Sequence, residues 1–286
     1  MNIMRFRPIF ILVSSFMLLV SIFSILRWGF RPSIDFSGGT FWEFTTTANL
    51  NKDSVAKVFE TEKISLSSLS CTAKSCQAKF SNISQDQKIK IETGLKKIDS
   101  GFNTSRFETL GPSLGKELLN KTIVAVVLSS LALLLFIASR FSDVSFGAGA
   151  VLAMVHDGII LIGSFSLLGH FFGAELDALF VTALLTTLSA SVHDTVVTFD
   201  RIRELKRKDF KADWVHLANQ AVSEVIVRSI NNSMTIIFML TSLVVLGGDA
   251  TRWFATALLI GVVCGTYSST GVAIPLVLWF KKLQKR

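Results

Sequence analysis

Polar residues inside apolar runs mark where this chain could do chemistry. The stretch Ser191–Glu204 (SVHDTVVTFDRIRE) begins within a long apolar run and ends in dense charge from Asp200 onward. Asp194 lies on the apolar side of this stretch. An ionisable side chain near the centre of a membrane helix costs at least ~2.5–3.5 kcal/mol, so it is a functional candidate by default. Asp194 is therefore the first candidate.

A polar stripe surrounds Asp194. On a helix, Thr187, Ser191, Asp194 and Thr198 share one face, because they are spaced by four, three and four residues. Such a stripe should face other helices or water rather than lipid. The alternative is an aspartate that only caps a helix or pairs with a cation near the membrane boundary.

A second polar face is predicted around Arg228. The apolar run after it is too short to cross a bilayer unless the helix extends back to about Arg228. Arg228, Asn231, Asn232 and Thr235 then share one face of that helix. An arginine at this depth favours a carboxylate partner, and we predict Asp194. The alternative is an Arg228 side chain that reaches the lipid headgroups.

Three more polar residues stand at membrane depth, namely His193 and the pair His156-Asp157. Histidine titrates near neutral pH, so His193 could relay protons to Asp194. We add His193 and Asp157 to the proton-coupling candidates. The alternative is that each is a hydrogen-bonded packing residue of the helix bundle.

Asp157 and Asp194 also raise the alternative of an intramembrane aspartyl protease. That chemistry needs two carboxylates that share a proton at close range. Counted from the cytoplasmic ends of their spans, the two depths differ by roughly 8 Å, which argues against such a dyad. The sequence offers no nucleophile–base pair and no metal-binding cluster. We therefore predict that the chain is not an enzyme and holds no cofactor or metal.

The composition identifies a membrane protein. Of 286 residues, 50% are hydrophobic and only 17% are charged, which is too apolar for a soluble protein of this length. The net charge of +8 comes from Lys and Arg at the ends of apolar runs, so we do not predict nucleic-acid binding. Six runs are long enough to span a bilayer, at residues 8–26, 122–139, 146–169, 176–199, 229–248 and 252–280.

The positive-inside rule orients these spans. The first run follows Arg5 and Arg7 and lacks a small-residue cleavage site, so we interpret it as a retained helix rather than a signal peptide. With six spans, both termini are cytoplasmic, together with Arg140, a basic segment at 200–227 and a basic C-terminal tail. The predicted domains are 1–30, an extracytoplasmic domain at 31–117, and the remaining spans at 118–286.

The polar domain at 31–117 has alternating strand and helix patterns. Strands are predicted at 40–46, 65–71, 76–80 and 105–110, and amphipathic helices at 53–63 and 85–98. This βαββαβ order predicts one α+β ferredoxin-like domain. Outside the cytoplasm, Cys71 and Cys76 could form a hairpin disulfide, and two unpaired thiols are the alternative.

Two glycine motifs have different meanings. Gly261 and Gly265 (GVVCG) form a small-xxx-small pattern that favours close packing of membrane helices. Gly111–Glu117 (GPSLGKE) superficially resembles a phosphate-binding loop. It is one residue too short before Lys116 and lacks a following Ser or Thr, so we reject nucleotide binding there.

Several of these motifs together resemble the SecF family, the smaller of two related membrane subunits that assist Sec-dependent protein export in bacteria. That family is similar in architecture to transporters of the resistance-nodulation-division superfamily. The resemblance covers essentially the whole chain. The matching stretches are Ile34–Thr40 (IDFSGGT), Leu110–Leu118, Ala153–Gly158 (AMVHDG), Ser191–Glu204 and Arg228–Asn231.

The resemblance implies an accessory export subunit in the bacterial inner membrane. It would use the proton motive force with SecD, its heterodimer partner, to promote translocation of preproteins through SecYEG. YajC and the translocating preprotein are further implied partners. A passive scaffold for SecD and SecYEG and a small-molecule exporter of the related superfamily are the alternatives.

The resemblance also assigns residues. In the family, an Asp of the fourth span and an Arg of the fifth are implicated in proton-driven function, and they correspond to Asp194 and Arg228. The usual Asn before the Asp is His193 here, and the usual Thr after the Arg is Ser229. His193 adds a titratable group, so the sequence leaves open whether protons or sodium ions drive the process.

Overall fold

The computed structural model describes residues 2–47, 51–72, 75–141 and 143–284, without the side chains of residues 249 and 250. The chain forms two compact units. One unit combines Met1–Arg31 with Ala125–Arg286, and the other is Pro32–Val124.

Ten helices and four strands are described. In chain order they are α1 (Arg7–Trp28), α2 (Ile34–Ser37), β1 (Gly39–Thr45), α3 (Lys52–Thr61), β2 (Leu66–Cys71), β3 (Ser75–Phe80), α4 (Gln85–Ile98), β4 (Asn103–Leu110), α5 (Pro112–Arg140), α6 (Val144–Phe172), α7 (Ala178–Lys208), α8 (Trp214–Leu246), α9 (Asp249–Ser268) and α10 (Ile274–Gln284). A 3-10 turn, Ile3–Phe6, precedes α1, and a π-helical turn, Ser269–Ala273, joins α9 to α10.

The prediction of six membrane-spanning helices is confirmed. By length and composition, α1, α5, α6, α7 and α8 can each cross a membrane, and α9 and α10 form the sixth span together with the π-helical turn. The spans are longer than the apolar runs. Helix α7 continues to Lys208 and α8 already begins at Trp214, so the basic segment at 200–227 is mostly helical and not a loop. Asp213 caps α8 by accepting a hydrogen bond from the Val215 amide.

The spans differ in how much of their surface the chain itself covers. About half of the apolar window is buried in α6 (56%), α7 (50%) and the sixth span (50%), against 6% in α5 and 11% in α8. The first three therefore form the packed centre of the bundle. Helix α8 leaves most of its surface for lipid or another protein.

The smaller unit contains one antiparallel sheet with the strand order β2-β3-β1-β4. Strands and the two longer helices follow the predicted order βαββαβ, and the short α2 precedes them. Its core includes the fully buried side chains of Trp42, Phe44 and Phe80 from the sheet and of Phe59 and Ile91 from α3 and α4.

The β2–β3 hairpin carries a disulfide. Cys71 and Cys76 are partners in the strand register, and their sulfur atoms are bonded. The structure therefore contains the disulfide, one of the two cysteine states that the sequence left open. A covalent link next to a hairpin turn holds the register of these two strands.

Candidate functional site

The centre of the bundle holds a buried carboxylate with a complete set of hydrogen bonds. Asp157 on α6 is 5% exposed. Its Oδ1 contacts His156 Nδ1 at 2.8 Å and accepts from Cys264 Sγ at 3.3 Å. Its Oδ2 accepts from Ser268 Oγ at 2.6 Å and from the Ser191 hydroxyl. A carboxylate offers about four lone-pair sites, so four partners saturate it.

A hydrogen-bonded chain extends from this carboxylate to α1. His156 is 5% exposed, and its Nε2 lies 3.1 Å from the Tyr267 hydroxyl. That hydroxyl lies 2.8 Å from Ser14 Oγ on α1. The network thus joins α1, α6, α7 and α9. Neighbouring helices can satisfy polar groups at membrane depth in this way.

Small residues bring α7 and α9 close enough for this network. A Cβ added at Gly261 would lie 2.3 Å from Thr187 Cγ2, and one at Gly265 would lie 3.1 Å from Ser191 Cβ. The two predicted packing glycines therefore lie directly against two residues of the predicted polar stripe. The π-helical turn begins right after Ser268, and such turns occur frequently at functional sites.

Asp194 lies in a different environment, at a groove between α7, α8 and α9. The groove has a volume of about 620 Å³, and its polar lining includes Ser191, His193, Asp194, Asn232 and Thr266. Asp194 is half-buried, and its Oδ2 accepts a hydrogen bond from Ser229 Oγ at 3.2 Å. This carboxylate has one side-chain donor among the described residues, where Asp157 has four partners.

The predicted ion pair between Arg228 and Asp194 is not formed in this structure. In the described part of the chain, no Arg228 nitrogen lies within 4.0 Å of a carboxylate oxygen. Successive residues of a helix point about 100° apart, and Ser229 is the residue that faces Asp194. The Arg228 side chain is exposed. Among the described residues, the two side chains lie on neighbouring helices and form no ion pair.

The predicted polar stripe of α7 has two parts in the structure. Thr187 and Ser191 are buried against α9, and Thr198 is buried with its hydroxyl bonded to the Asp194 carbonyl. Asp194 and the exposed His193 line the groove, which Thr187 and Ser191 also border. Of the four stripe residues, Thr198 is the one outside the groove lining.

The predicted polar face of α8 is largely open. Arg228, Asn231, Asn232 and Thr235 are all exposed, and Asn232 lines the groove. The Thr235 hydroxyl bonds the Asn232 carbonyl of its own helix. Exposed polar side chains on a membrane helix require water or a polar partner, since lipid offers none.

The arrangement does not form an aspartyl dyad. Asp157 and Asp194 have separate donors and share no hydrogen bond. His156, Asp157 and Cys264 do offer three potential metal-ligand atoms within 4.8 Å of one another, which the sequence analysis missed. Each of these atoms already takes part in a hydrogen bond within the trio. We therefore assign no ion to them.

Sequence reasoning also missed Ser14, Tyr267 and Ser268. A signal was present, because five consecutive hydroxyl residues, 266–270 (TYSST), interrupt the last apolar run, and Tyr267 is the only tyrosine of the chain. A hydroxyl cluster at membrane depth indicates a hydrogen-bonded interface between helices. The partner of that cluster is set by the packing of α6 against α9.

Fold and site together define a multi-pass membrane protein with a polar centre and a small α+β unit between its first two spans. Residues 90–283 match the model of the family described as protein export membrane protein SecD/SecF, C-terminal. The chain belongs to the SecD/SecF family.

Full-length relatives agree with this membership. The chain is 38% identical over 299 residues to the protein translocase subunit SecF of Thermobaculum terrenum, covering 98% of this chain and 94% of that protein. It is 30% identical over 265 residues to the protein translocase subunit SecDF of Thermus thermophilus, covering 90% of this chain but only 35% of that protein.

Solved structures show the same architecture. A crystal structure of SecDF, a translocon-associated membrane protein from Thermus thermophilus, superposes with a TM-score of 0.88 at 28% identity, covering 99% of this chain and 39% of that one. SecDF in a super-membrane-facing form gives a TM-score of 0.69 over 98% of this chain. The chain spans well under half of these SecDF proteins and is more similar to the first form.

Proposed function

We propose that this chain is an accessory subunit of Sec-dependent protein export. In this proposal it uses the proton motive force, together with a SecD partner, to promote translocation of preproteins through SecYEG. Membership of the SecD/SecF family supports the export role. The observation that carries the energy coupling is Asp194, a half-buried carboxylate at a polar groove within the spans.

Asp194 is suited to exchange a proton. In the described part of the chain Ser229 is its one side-chain donor, which leaves lone pairs of the carboxylate for other partners, and the groove beside it has room for water. Exposed Arg228 lies on the facing helix, next to that donor. A negative Asp194 attracts the Arg228 guanidinium, and a protonated Asp194 does not. The proton thus changes the force between α7 and α8.

SecD is the partner that fits the open face of α8. In the SecDF of Thermus thermophilus, the segment like this chain makes up 35% of one longer polypeptide. A separate SecD would supply the rest of that assembly. It would also cover the exposed polar side chains of α8, which lipid cannot solvate. SecYEG, YajC and the preprotein are proposed as the further members of the complex.

We propose an inner-membrane location with both termini in the cytoplasm. Three contacts show which span ends lie on the same side of the bundle. Arg140 pairs with Asp200, Lys281 pairs with Asp143, and the Met4 amide donates to Asn219 at 2.9 Å. Most of the cations near span ends lie at this end, as expected for the cytoplasmic side. The Pro32–Val124 unit would then be extracytoplasmic, where a disulfide persists.

The proposed mechanism is a two-state movement of helices. One charge that crosses a potential of ~100 mV is worth ~2.3 kcal/mol, enough to shift a two-state equilibrium by tens-fold. Packed helices respond to small shifts by switching between discrete arrangements. A change in the attraction between α7 and α8 would therefore reach the extracytoplasmic unit through the spans and let it hold or release the emerging preprotein.

The test is Asp194→Asn in inverted membrane vesicles that contain the whole export complex. We expect the gradient-stimulated part of preprotein transport to fall at least tenfold, while transport without a gradient is kept. Asp200→Asn is the matched control, because it makes the same change on the same helix at a carboxylate paired with Arg140. It should keep the stimulation.

The same assay separates the alternatives. A passive scaffold predicts that Asp194→Asn lowers recovery of SecD with the chain and reduces transport equally with and without a gradient. Unchanged stimulation in Asp194→Asn would refute the proposal. Collapsing the proton gradient and the sodium gradient separately identifies the coupling ion.

A further inference from the structure

The network around Asp157 contains a group that the proposed function does not use. His156 lies between the Asp157 carboxylate and the Tyr267 hydroxyl, and both His156 and Asp157 are buried. The three other partners of Asp157 are two hydroxyls and a thiol, all of which can donate. These donors can all bond a carboxylate at this position. The imidazole is the group in this cluster that can neutralise it by taking a proton.

The heavy-atom positions fit both protonation states of His156. In the neutral ring, Nδ1–H donates to Asp157 and Nε2 accepts from the Tyr267 hydroxyl. In the charged ring, Nε2–H donates to Tyr267, whose hydroxyl then donates to Ser14 Oγ. Ser14 can turn its own proton to a carbonyl of its helix. The chain of hydrogen bonds reverses direction without movement of a helix.

We propose that His156 and Asp157 form a second proton-holding site inside the bundle, and that Ser191 links this site to the groove of Asp194. Ser191 donates to Asp157 and also lines that groove, three residues before Asp194 on α7. The inference deepens the proposed function and rests on the use of a proton gradient by this chain.

The proton enters on the side of Tyr267, the one partly exposed member of the chain from Ser14 to Asp157. Tyr267 passes its hydroxyl proton to His156 Nε2. Its oxygen takes another proton from hydronium on the side facing away from His156. The hydroxyl is therefore unchanged, hydronium becomes water, and His156 gains one proton. Release follows the same steps in reverse.

The helices packed against α6 bring several charged or titratable groups near the pair. α9 contributes Cys264 and Tyr267, and α7 contributes Asp194 and His193 at the groove beyond Ser191. α1 contributes the Ser14 hydroxyl to the chain. The Lys281 ammonium of α10 is held by Asp143 just before α6 begins, more than two helical turns from His156. Among the described residues, Asp157 is thus the acidic group that contacts the His156 ring directly.

The chain offers a direct measurement, because it has only four histidines. In a variant with His170→Gln, His193→Gln and His216→Gln, the ring of His156 alone gives histidine signals in an NMR titration of the full chain in nanodiscs. We expect one protonation event of this ring in the titration. Asp157→Asn should shift it at least tenfold toward higher proton concentration, because the neutral amide no longer attracts the imidazolium.

A second variant moves the titration in the opposite direction. Ser268→Ala removes one donor from the carboxylate and leaves its charge less compensated, so the imidazolium is held more tightly. We expect the His156 ring of this variant to gain its proton at a lower proton concentration. General loss of structure does not produce opposite shifts in the two variants. The result that overturns the inference is a His156 ring whose signals do not change with pH, or whose titration is the same in the parent and in both variants.

The link to export is tested with His156→Gln, which keeps hydrogen-bonding capacity without a proton site. We expect the gradient-stimulated part of transport to fall at least fivefold, with transport in the absence of a gradient unchanged. Full stimulation in this variant overturns the coupling of the second site. Failure of the proposed function is seen separately, as full stimulation in Asp194→Asn.

Discussion

Asp157 and Asp194 are carboxylates in neighbouring spans, and their surroundings are opposite in kind. Asp157 is buried among partners from three helices, which occupy its lone-pair sites. Asp194 borders a groove and takes one hydrogen bond from Ser229. A saturated buried carboxylate resists change, because each lost partner leaves a buried donor unpaired. An unsaturated one beside open space can gain a proton, a water or a cation at small cost.

The difference follows from the helices that carry the partners. The donors to Asp157 come from α6, α7 and α9, which form the packed centre of the bundle. The donor to Asp194 comes from α8, which has little of its surface covered. The Asp157 carboxylate therefore stabilises the bundle and is reached by a proton only through His156, whereas Asp194 lies where a partner or a proton can act directly.

The largest expected effect is that of Asp157→Ala. It leaves the Ser191 and Ser268 hydroxyls and His156 without their buried acceptor. Removing one partner of a buried charged network costs about 3–5 kcal/mol in free energy of unfolding. Asp194→Ala is the matched control and should cost less than ~1 kcal/mol, since Ser229 is the one side-chain donor among the described residues that loses an acceptor. Reversible unfolding in mild detergent measures both, and equal losses would contradict the comparison.

A smaller loss is expected from Gly261→Ala, which tests the packing of α7 on α9 beneath both sites. The added Cβ would lie 2.3 Å from Thr187 Cγ2 and 2.5 Å from its Cβ, so a rotamer change cannot relieve the contact. Overpacking of this kind costs about 2 kcal/mol.

Gly147→Ala is the control for that substitution. Gly147 lies on α6, and a Cβ there meets no heavy atom within 4 Å. It should stabilise the chain by up to ~1 kcal/mol through helix propensity. Similar thermal shifts in the two variants would show that the close contact between α7 and α9 is not needed.

Ser268→Ala should have a still smaller effect on stability. It removes one donor to the Asp157 carboxylate, and a hydrogen bond to a charged group contributes about 1.5 kcal/mol. Ser229→Ala makes the same change at Asp194, where water in the groove can replace the hydroxyl, so the expected loss is under ~0.5 kcal/mol. A larger loss of stability for Ser229→Ala than for Ser268→Ala would contradict the assignment of Asp157 as the saturated site and Asp194 as the open site.

The sequence predicts the spans well because apolar length is a property of each segment alone. It also predicts α4 at its observed bounds, Gln85–Ile98, since helical periodicity is a local property of the segment. The predicted pair of Arg228 with Asp194 depends on how α8 is rotated against α7, and in the structure Ser229 faces the carboxylate. Helix rotation is set by packing, which a single chain's pattern does not contain.

The network of Asp157 shows the same limit. Its members come from positions 14, 156, 157, 191, 264, 267 and 268, so most of its contacts are long-range. The sequence indicates polar residues at membrane depth but not which of them meet. The π-helical turn after Ser268 follows from the tertiary fit and not from a sequence pattern.

The smallest expected effect on stability is that of Arg228→Ala. The side chain is exposed and has no ion pair in the described part of the chain, so the free energy of unfolding should change by less than ~0.5 kcal/mol. Lys281→Ala is the matched control. Lys281 pairs with Asp143 and lies 5.0 Å from the Trp214 ring centroid, so its loss should cost about 1 kcal/mol or more.

The order of the two substitutions should reverse when gradient-stimulated transport is measured instead of stability. If Arg228 acts through a charge that Asp194 gains and loses, Arg228→Ala removes gradient-stimulated transport while leaving the chain as stable as before. Lys281→Ala weakens the bundle and should leave the ratio of stimulated to unstimulated transport unchanged. An Arg228→Ala chain that keeps its stimulation would separate Arg228 from Asp194 and reduce the open site to the carboxylate alone. If Arg228→Ala instead lowers the free energy of unfolding, Arg228 makes structural contacts on α8.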